Sequence, residues 1–173
     1  MEEIMQGLDS FSRERTGVRI DGPAAEEIVS KIKEQVDAWG LVLPYGDPLV
    51  LDFGLGDYYT TGETEFWIAN EVEGGYCGKF MFLFEGQTCP NHMHKDKLET
   101  FFIVKGKVLM IYDDKEIILN PGDILLIDLT KYHRFTGLEN SLILEVSKPC
   151  IGGDSHFSNT DIPHGDNYQG KSS

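Results

Sequence analysis

The chain has 173 residues and carries 15 Lys and Arg against 29 Asp and Glu, a formal net charge of -14. That length suits one domain with a sizeable core, and that charge argues against nucleic acid or an anionic membrane as a partner, because the cations are too few to meet the phosphates. No run of about 18 apolar residues is present, and the opening MEEIMQGLDS lacks the basic-then-apolar pattern of a secretory signal, so a cytoplasmic location is expected.

In chain order, the first element expected is a helix from Pro23 to Trp39. Pro23 stands at its first turn, Val29, Ile32, Val36 and Trp39 share a stripe, and Gly40 is a stop signal. It is expected to pack on the outside of a barrel. From Leu49 onward the pattern turns to short apolar or alternating runs broken by Gly, Pro and Asp. Strands are expected at Phe66 to Val72, Lys79 to Phe84, Thr100 to Val104, Val108 to Tyr112, Ile117 to Leu119, Ile124 to Ile127 and Ser141 to Ser147. Asp113-Asp114-Lys115 reads as a hairpin turn and Asn120-Pro121-Gly122 as another. So many short strands imply an all-β antiparallel barrel or jelly roll. The expected organisation is a helical extension over 1–45, the barrel over 46–163 and a polar, Gly-rich mobile tail over 164–173. Neither an internal repeat nor a second domain is visible. Cys77, Cys89 and Cys150 are an odd number without zinc-like pairing, which fits free, packed thiols in a reducing compartment.

Chemistry concentrates in Gly86 to Gly106, GQTCPNHMHKDKLETFFIVKG, whose spacing is G-x5-H-x-H-x4-E-x6-G. His92 and His94 lie two apart, so on an extended strand both rings leave the same face. Glu99 adds a carboxylate, and His133, which closes the segment that begins at Pro121, supplies a fourth ligand. Imidazole with carboxylate suits Mn, Fe, Co, Ni or Zn rather than Ca, and four protein ligands leave one or two positions where a substrate oxygen can bind.

These residues resemble the cupin superfamily. Its first motif matches at Gly86, His92, His94, Glu99 and Gly106. Its second, G-x5-P-x-G-x2-H-x3-N, keeps its spacing from Gly122 to His133 but carries Asp128, Thr130 and Gly137 at its Pro, second Gly and Asn positions. The resemblance implies a single-domain cupin jelly-roll barrel. Within the superfamily, Asp52 to Gly56, Tyr76 to Lys79, the GQTCP core of Leu83 to Pro90, Lys97 to Phe101, Glu145 to Ser147 and Asp154 to Asp161 are similar to the D-lyxose isomerase family. Only Lys95 and Asp96 separate His94 from Lys97 here, a shorter loop than that family's. The family resemblance implies a metal-dependent aldose–ketose isomerase working through an enediol on D-lyxose/D-xylulose or D-mannose/D-fructose, with one divalent ion, Mn first and Zn, Fe, Co or Ni as alternatives.

Such a reaction needs an acid or base beside the sugar carbons. Lys97 lies two residues before Glu99, so a strand continuing through both would place its amine near the ion, whose charge should lower the amine's pKa. Glu145 interrupts the apolar run Leu142 to Val146. It is either a general acid or base opposite Lys97, or one half of a buried ion pair. Lys79 either supplies that partner or binds a sugar hydroxyl, and Asp161 would reach substrate if the region after Cys150 folds over the barrel mouth. His156 and His164 are read as solvated, and Phe101, Trp67 and Tyr132 as core aromatics before stacking platforms. Two other functions fit the ligand set: a cupin dioxygenase, which would favour an apolar pocket and need no Lys–Glu pair, and a non-catalytic carbohydrate-binding cupin. Spare sheet edges point to a homodimer.

Overall fold

The structure is a computed structural model that describes residues 17–163. The expected tail over 164–173, with His164, and the first 16 residues of the expected extension lie outside the described residues. Two antiparallel sheets face each other as a jelly-roll sandwich. Its elements are β1 (Arg19–Ile20), α1 (Pro23–Ala38), β2 (Leu49–Leu51), β3 (Glu63–Glu71), β4 (Tyr76–Leu83), β5 (Thr88–Met93), β6 (Glu99–Lys105), β7 (Val108–Tyr112), β8 (Lys115–Leu119), β9 (Ile124–Ile127), β10 (His133–Gly137), β11 (Ser141–Ser147) and β12 (His156–Phe157). The seven-stranded sheet has the order β1-β2-β3-β4-β11-β6-β9, and the five-stranded sheet β12-β5-β10-β7-β8. Among the described residues no helix is long and apolar enough to cross a membrane.

α1 starts where Pro23 replaces an amide that would lack a helical partner. It ends as Gly40, at φ 69, lets Leu41 N–H reach Val36 O at 3.1 Å and Gly40 N–H reach Asp37 O at 2.9 Å, a Schellman closure. The buried stripe is Ile28, Ile32 and Val36, with Val29 and Trp39 at its margin. It covers Phe66, Phe82 and Leu142 on the outer face of the larger sheet, and each of these aliphatic side chains contributes about 1.5–3 kcal/mol on burial. β1 pairs with β2, so the expected extension is stitched into the sheet rather than merely resting on it.

The expected hairpin at Asp113 is a two-residue turn. Asp113 and Asp114 both take positive φ, 50° and 64°, and Tyr112 pairs with Lys115, the twist that two-residue hairpins require. Asn120-Pro121-Gly122 turns the chain too, but it is not a hairpin: β8 belongs to the smaller sheet and β9 to the larger, so this turn carries the chain between layers. The main core lies between the sheets, with Met81, Leu83, Phe101, Ile103 and Ile143 from one and Cys89, Val108, Met110 and Phe135 from the other. A bulge between Trp67 and Ala69 shifts the alternation of β3 by one. Glu63, Glu65 and Trp67 are buried before it and Ile68 is exposed within it. Asn70, opposite Cys77 after the bulge, turns inward like the odd-numbered residues ahead of it.

Candidate metal centre and the charged cavity beside it

β5 and β10 lie side by side, and their register sets His133 opposite His92. His94 comes one residue beyond β5, and the next layer contributes Glu99 from the start of β6. The ring nitrogens of His92, His94 and His133 come within 4.8 Å of one another, and all three residues are buried. Each ring is held from behind by a backbone carbonyl: His92 Nδ1 to Pro90 O at 2.8 Å, His94 Nδ1 to Asp154 O at 2.9 Å, and His133 Nδ1 to Lys131 O at 3.1 Å. A carbonyl accepts, so Nδ1 carries the proton and Nε2 is left as a lone-pair donor facing the centre. Glu99 Oε2 stands 3.4 Å from His94 Nε2 and 3.3 Å from His133 Nε2.

His94 Nε2, His133 Nε2 and Glu99 Oε2 are buried without a hydrogen-bond partner. Three orphaned acceptors aimed at one point cost free energy unless a cation fills it, and backbone-anchored imidazoles with a carboxylate suit a divalent transition ion. The donor set therefore fits the group the sequence implies. Burial first, then the neighbouring imidazoles, holds His92 well below the usual histidine range; burial first, then the Lys97 charge, does the same for His94. Burial alone would raise Glu99, but Lys97, His94 and His133 outweigh it and hold the carboxyl well below its ordinary value. His92, His94 and Glu99 are thus biased toward the deprotonated forms that bind an ion.

A cavity opens beside this centre. Its polar wall is Glu63, Glu65, Lys79, Lys97, Glu99 and Glu145, and its apolar wall includes Val18, Phe53, Met81, Phe101, Phe135 and Phe157. The polar wall tracks the sheet order. Lys79 on β4 lies directly opposite Glu145 on β11, with Nζ 3.3 Å from Oε2 and 2.5 Å from Glu65 Oε1 on β3. Lys97 Nζ is 3.3 Å from Glu145 Oε1 and 2.6 Å from Glu99 Oε1. Ser147 Oγ donates to Glu145 Oε1 at 2.8 Å. Acids and amines alternate across four neighbouring strands, which is how six charged groups remain buried together.

Lys97 precedes β6 rather than lying in it, yet its amine reaches Glu99 as the spacing suggested. One residue arranges this. The Asp154 carboxylate accepts from three successive amides, Lys95 N–H at 2.9 Å, Asp96 N–H at 3.2 Å and Lys97 N–H at 3.0 Å, while its carbonyl anchors His94. The two-residue loop after His94 is therefore closed by a side chain from 57 or more positions away. Burial pulls Lys97 down, but Cys150, Glu145 and Glu99 outweigh it and raise its pKa above the usual lysine range. The lowering expected from a bound ion's charge would act against these anions.

Glu145 has both of the partners considered for it. Lys79 is the buried ion-pair partner, with its amine also over the Trp67 ring at 5.2 Å. Burial pulls Lys79 down too, and Glu145 with Glu65 reverses it to well above the ordinary value. Asp161 does not reach the cavity. The neighbouring Ile162 is buried in the core and Asp161 N–H bonds Asn159 Oδ1 at 3.0 Å, which leaves the Asp161 side chain exposed on the surface. The region after Cys150 does fold over the site, through β12. His156 pairs with Met93 and is buried beside Asp154, not solvated, and the Phe157 ring lies 5.3 Å from that of His92. Phe101 and Trp67 are core aromatics, of which Phe101 lines the cavity, and Tyr132 is exposed. Glu63, Glu65 and Asp154 were missed from the sequence.

At the second motif, Thr130 adopts φ 63° where the superfamily pattern has Gly, and its N–H reaches His94 O at 2.7 Å. Gly137, at the Asn position, lies so close to Phe84 O that an added Cβ would come within 2.7 Å.

The two-sheet jelly roll with three histidines and a glutamate converging between its layers defines a cupin. A cupin-domain family model matches residues 80–146. The chain is 33% identical to the D-lyxose/D-mannose isomerase of Thermosediminibacter oceani, over 57% of this chain and 68% of that protein. It is 30% identical to the D-lyxose ketol-isomerase of a Thermofilum species, over 65% of this chain and 77% of that protein. The chain belongs to the D-lyxose isomerase family of cupins. Among solved structures, the L-ribose isomerase of Cellulomonas parahominis shares the fold with a TM-score of 0.64 at 17% identity, over 82% of this chain and 94% of that one.

Proposed function

We propose that this protein is a metal-dependent aldose–ketose isomerase that moves a proton between C1 and C2 of an open-chain sugar through an enediol, of the D-lyxose/D-xylulose or D-mannose/D-fructose type. The observation that carries the reading is the Lys97–Glu145 pair, 3.3 Å apart in the cavity wall and joined to the ligand Glu99 through a 2.6 Å contact. His92, His94, Glu99 and His133 hold one divalent ion, Mn first, which supplies Lewis-acid polarisation of the sugar carbonyl and charge to offset the enediol's. Glu145 takes the proton from the sugar carbon and Lys97 serves the oxygens. Lys79, clamped between Glu65 and Glu145, keeps the Glu145 carboxylate aimed at the cavity. The apolar wall of Phe53, Phe101 and Phe157 excludes water from the reacting carbons. Dioxygen chemistry has no use for a buried amine–carboxylate pair, which is why isomerisation is preferred.

We also place the protein in the cytoplasm, as its three buried free thiols suggest, and infer a homodimer. Ile68, Phe102, Ile124, Leu126 and Val146 are exposed on the part of the larger sheet that α1 does not cover, and a second copy is the partner that suits such a face. The test of function is turnover. Metal-free protein is given Mn²⁺ and a panel of aldoses and ketoses, and products are separated by chromatography. Conversion of D-lyxose or D-mannose, lost in Lys97→Ala while manganese is retained, supports the reading; no interconversion with any divalent ion sinks it.

A further inference from the structure

Beside Lys97 lies a pair of thiols that the proposed reaction does not use. Cys77 on β4 and Cys150 just after β11 are both buried, and their sulfurs are 3.9 Å apart. The contact is held in place. Asn70 on β3, opposite Cys77 in the sheet, clamps the backbone of Cys150 on both sides, accepting its N–H at 2.9 Å and donating to its carbonyl at 3.0 Å. Cys150 Sγ also receives the Lys97 ammonium at 3.5 Å. Cys150 is 5% exposed, and the next residue, Ile151, is 57% exposed.

We propose that Cys77 and Cys150 form a reversible oxidation site, in which Cys150 is attacked by a hydroperoxide and Cys77 closes it to a disulfide that withdraws one partner from Lys97. In the first step the Cys150 thiolate attacks one oxygen of hydrogen peroxide. The S–O bond forms, the O–O bond breaks, and the departing hydroxide takes up the proton that Cys150 had released, giving water. The sulfur has lost two electrons and the peroxide has gained them. Cys77 then gives up its proton as its sulfur attacks the sulfenic sulfur. The S–S bond forms, the S–O bond breaks, and hydroxyl leaves with that proton as a second water. Two thiols and one peroxide give one disulfide and two waters.

The environment assigns the two roles. The Cys77 thiol hydrogen-bonds to Cys150, and this contact, with help from Lys97 and Lys79 and against burial, lowers Cys150 to about 7; the same hydrogen bond and burial raise Cys77 above the ordinary thiol range. Cys150 is the attacking sulfur and Cys77 the resolving thiol. Cys89 shares neither feature: burial raises it well above the usual range, and its sulfur lies by Pro90 O and the Glu63 carboxyl rather than by a second thiol. Closing the sulfurs from 3.9 Å to the roughly 2 Å of a disulfide draws Cys150 Sγ off the Lys97 amine.

The test treats the full chain, loaded with Mn²⁺, with hydrogen peroxide, then alkylates under denaturant and maps peptides. The expected result is a loss of about 2 Da, a linked Cys77–Cys150 peptide, Cys89 still open to alkylation, and reversal by dithiothreitol. Cys77→Ser is expected to stop at a sulfenic acid, a gain of about 16 Da trapped by dimedone. Both sulfurs remaining free, or a link that forms only in unfolded protein, would overturn the proposal. The consequence for turnover rests on the isomerase reading: kcat is expected to fall by about tenfold or more on oxidation and to return on reduction. A linked peptide with unchanged turnover would overturn the coupling to Lys97. The mass readout is blind to sugar chemistry, so failure of the isomerase reading leaves the thiol test intact.

Discussion

Glu145→Gln is the perturbation that separates the electrostatic account of the cavity from a merely steric one. The substitution keeps shape and removes one negative charge from between two buried ammonium groups, each 3.3 Å from a different carboxylate oxygen. At an effective dielectric near 20, each contact represents about 5 kcal/mol of gross attraction, most of which is offset by the cost of burying the charges. Breaking a buried pair from one side costs about 3–5 kcal/mol net. The low end applies here, because Lys79 keeps Glu65 at 2.5 Å and Lys97 keeps Glu99 at 2.6 Å. Urea unfolding of the metal-free protein should therefore lose about 3 kcal/mol with an unchanged slope. Glu145 touches no ligand nitrogen, so manganese affinity should move by less than about tenfold, while kcat falls by about 10²–10⁴. Stability within about 0.5 kcal/mol of the parent would refute the ion-pair reasoning, and near-normal kcat with bound metal would remove Glu145 from the chemistry.

Other expectations rest on single contacts. Asp154→Ala leaves three consecutive amides without their carboxylate and should cost about 2–3 kcal/mol while weakening manganese binding, read by competition with a chelator; Asp154→Glu should recover part of both. Thr130→Gly should be neutral or stabilising by up to about 1 kcal/mol, since a β-branched residue is strained at φ 63°; a loss of more than about 1 kcal/mol would show that Thr130 does more than turn the chain. In metal-free protein, His92 and His94 are held below the unfolded histidine value. Below about pH 6.5 the unfolded chain takes up protons that the fold refuses, so stability should fall as pH falls, by up to roughly 3 kcal/mol per pH unit for the two rings. Glu99, also held low, adds to the same trend below about pH 4.5. A melting temperature flat from pH 7 to pH 5, or rising as pH falls, would contradict that assignment; manganese, which also keeps protons off the folded ligands, should leave the trend at least as steep.

Much of this site was legible because its chemistry is local or periodic. His92, His94 and Glu99 sit within eight positions at spacings that a strand and its adjoining turn convert directly into convergence, and Glu145 was visible as a carboxylate where only apolar residues were expected. The jelly roll was legible from turn residues such as Asp113-Asp114. What escaped depends on long-range geometry. Asp154 is polar in a Gly-rich stretch, and nothing local marks it as the closure of a loop beginning at Lys95. Glu63 and Glu65 precede the strand expected at Phe66, and only the three-dimensional packing shows them to be interior. β10 was unassigned because HRFTG is short and mixed, and β12, two residues long, exists only by pairing with β5. Ile28 rather than Val29 leads the helix stripe because the sheet beneath fixes the rotation of α1, a choice the periodicity leaves open by one position.

The central claim is that an ion held by His92, His94, Glu99 and His133, with Lys97 and Glu145 beside it, moves a proton on a sugar carbon. The most direct measurement is deuterium incorporation from D2O into D-lyxose or D-mannose by the Mn²⁺-loaded protein, monitored at C1 and C2 by NMR. Stereospecific exchange at those carbons, absent without metal and absent in Glu145→Gln that still binds manganese, is the predicted result. Metal-loaded wild-type protein that binds these sugars and exchanges no carbon-bound hydrogen would contradict the account.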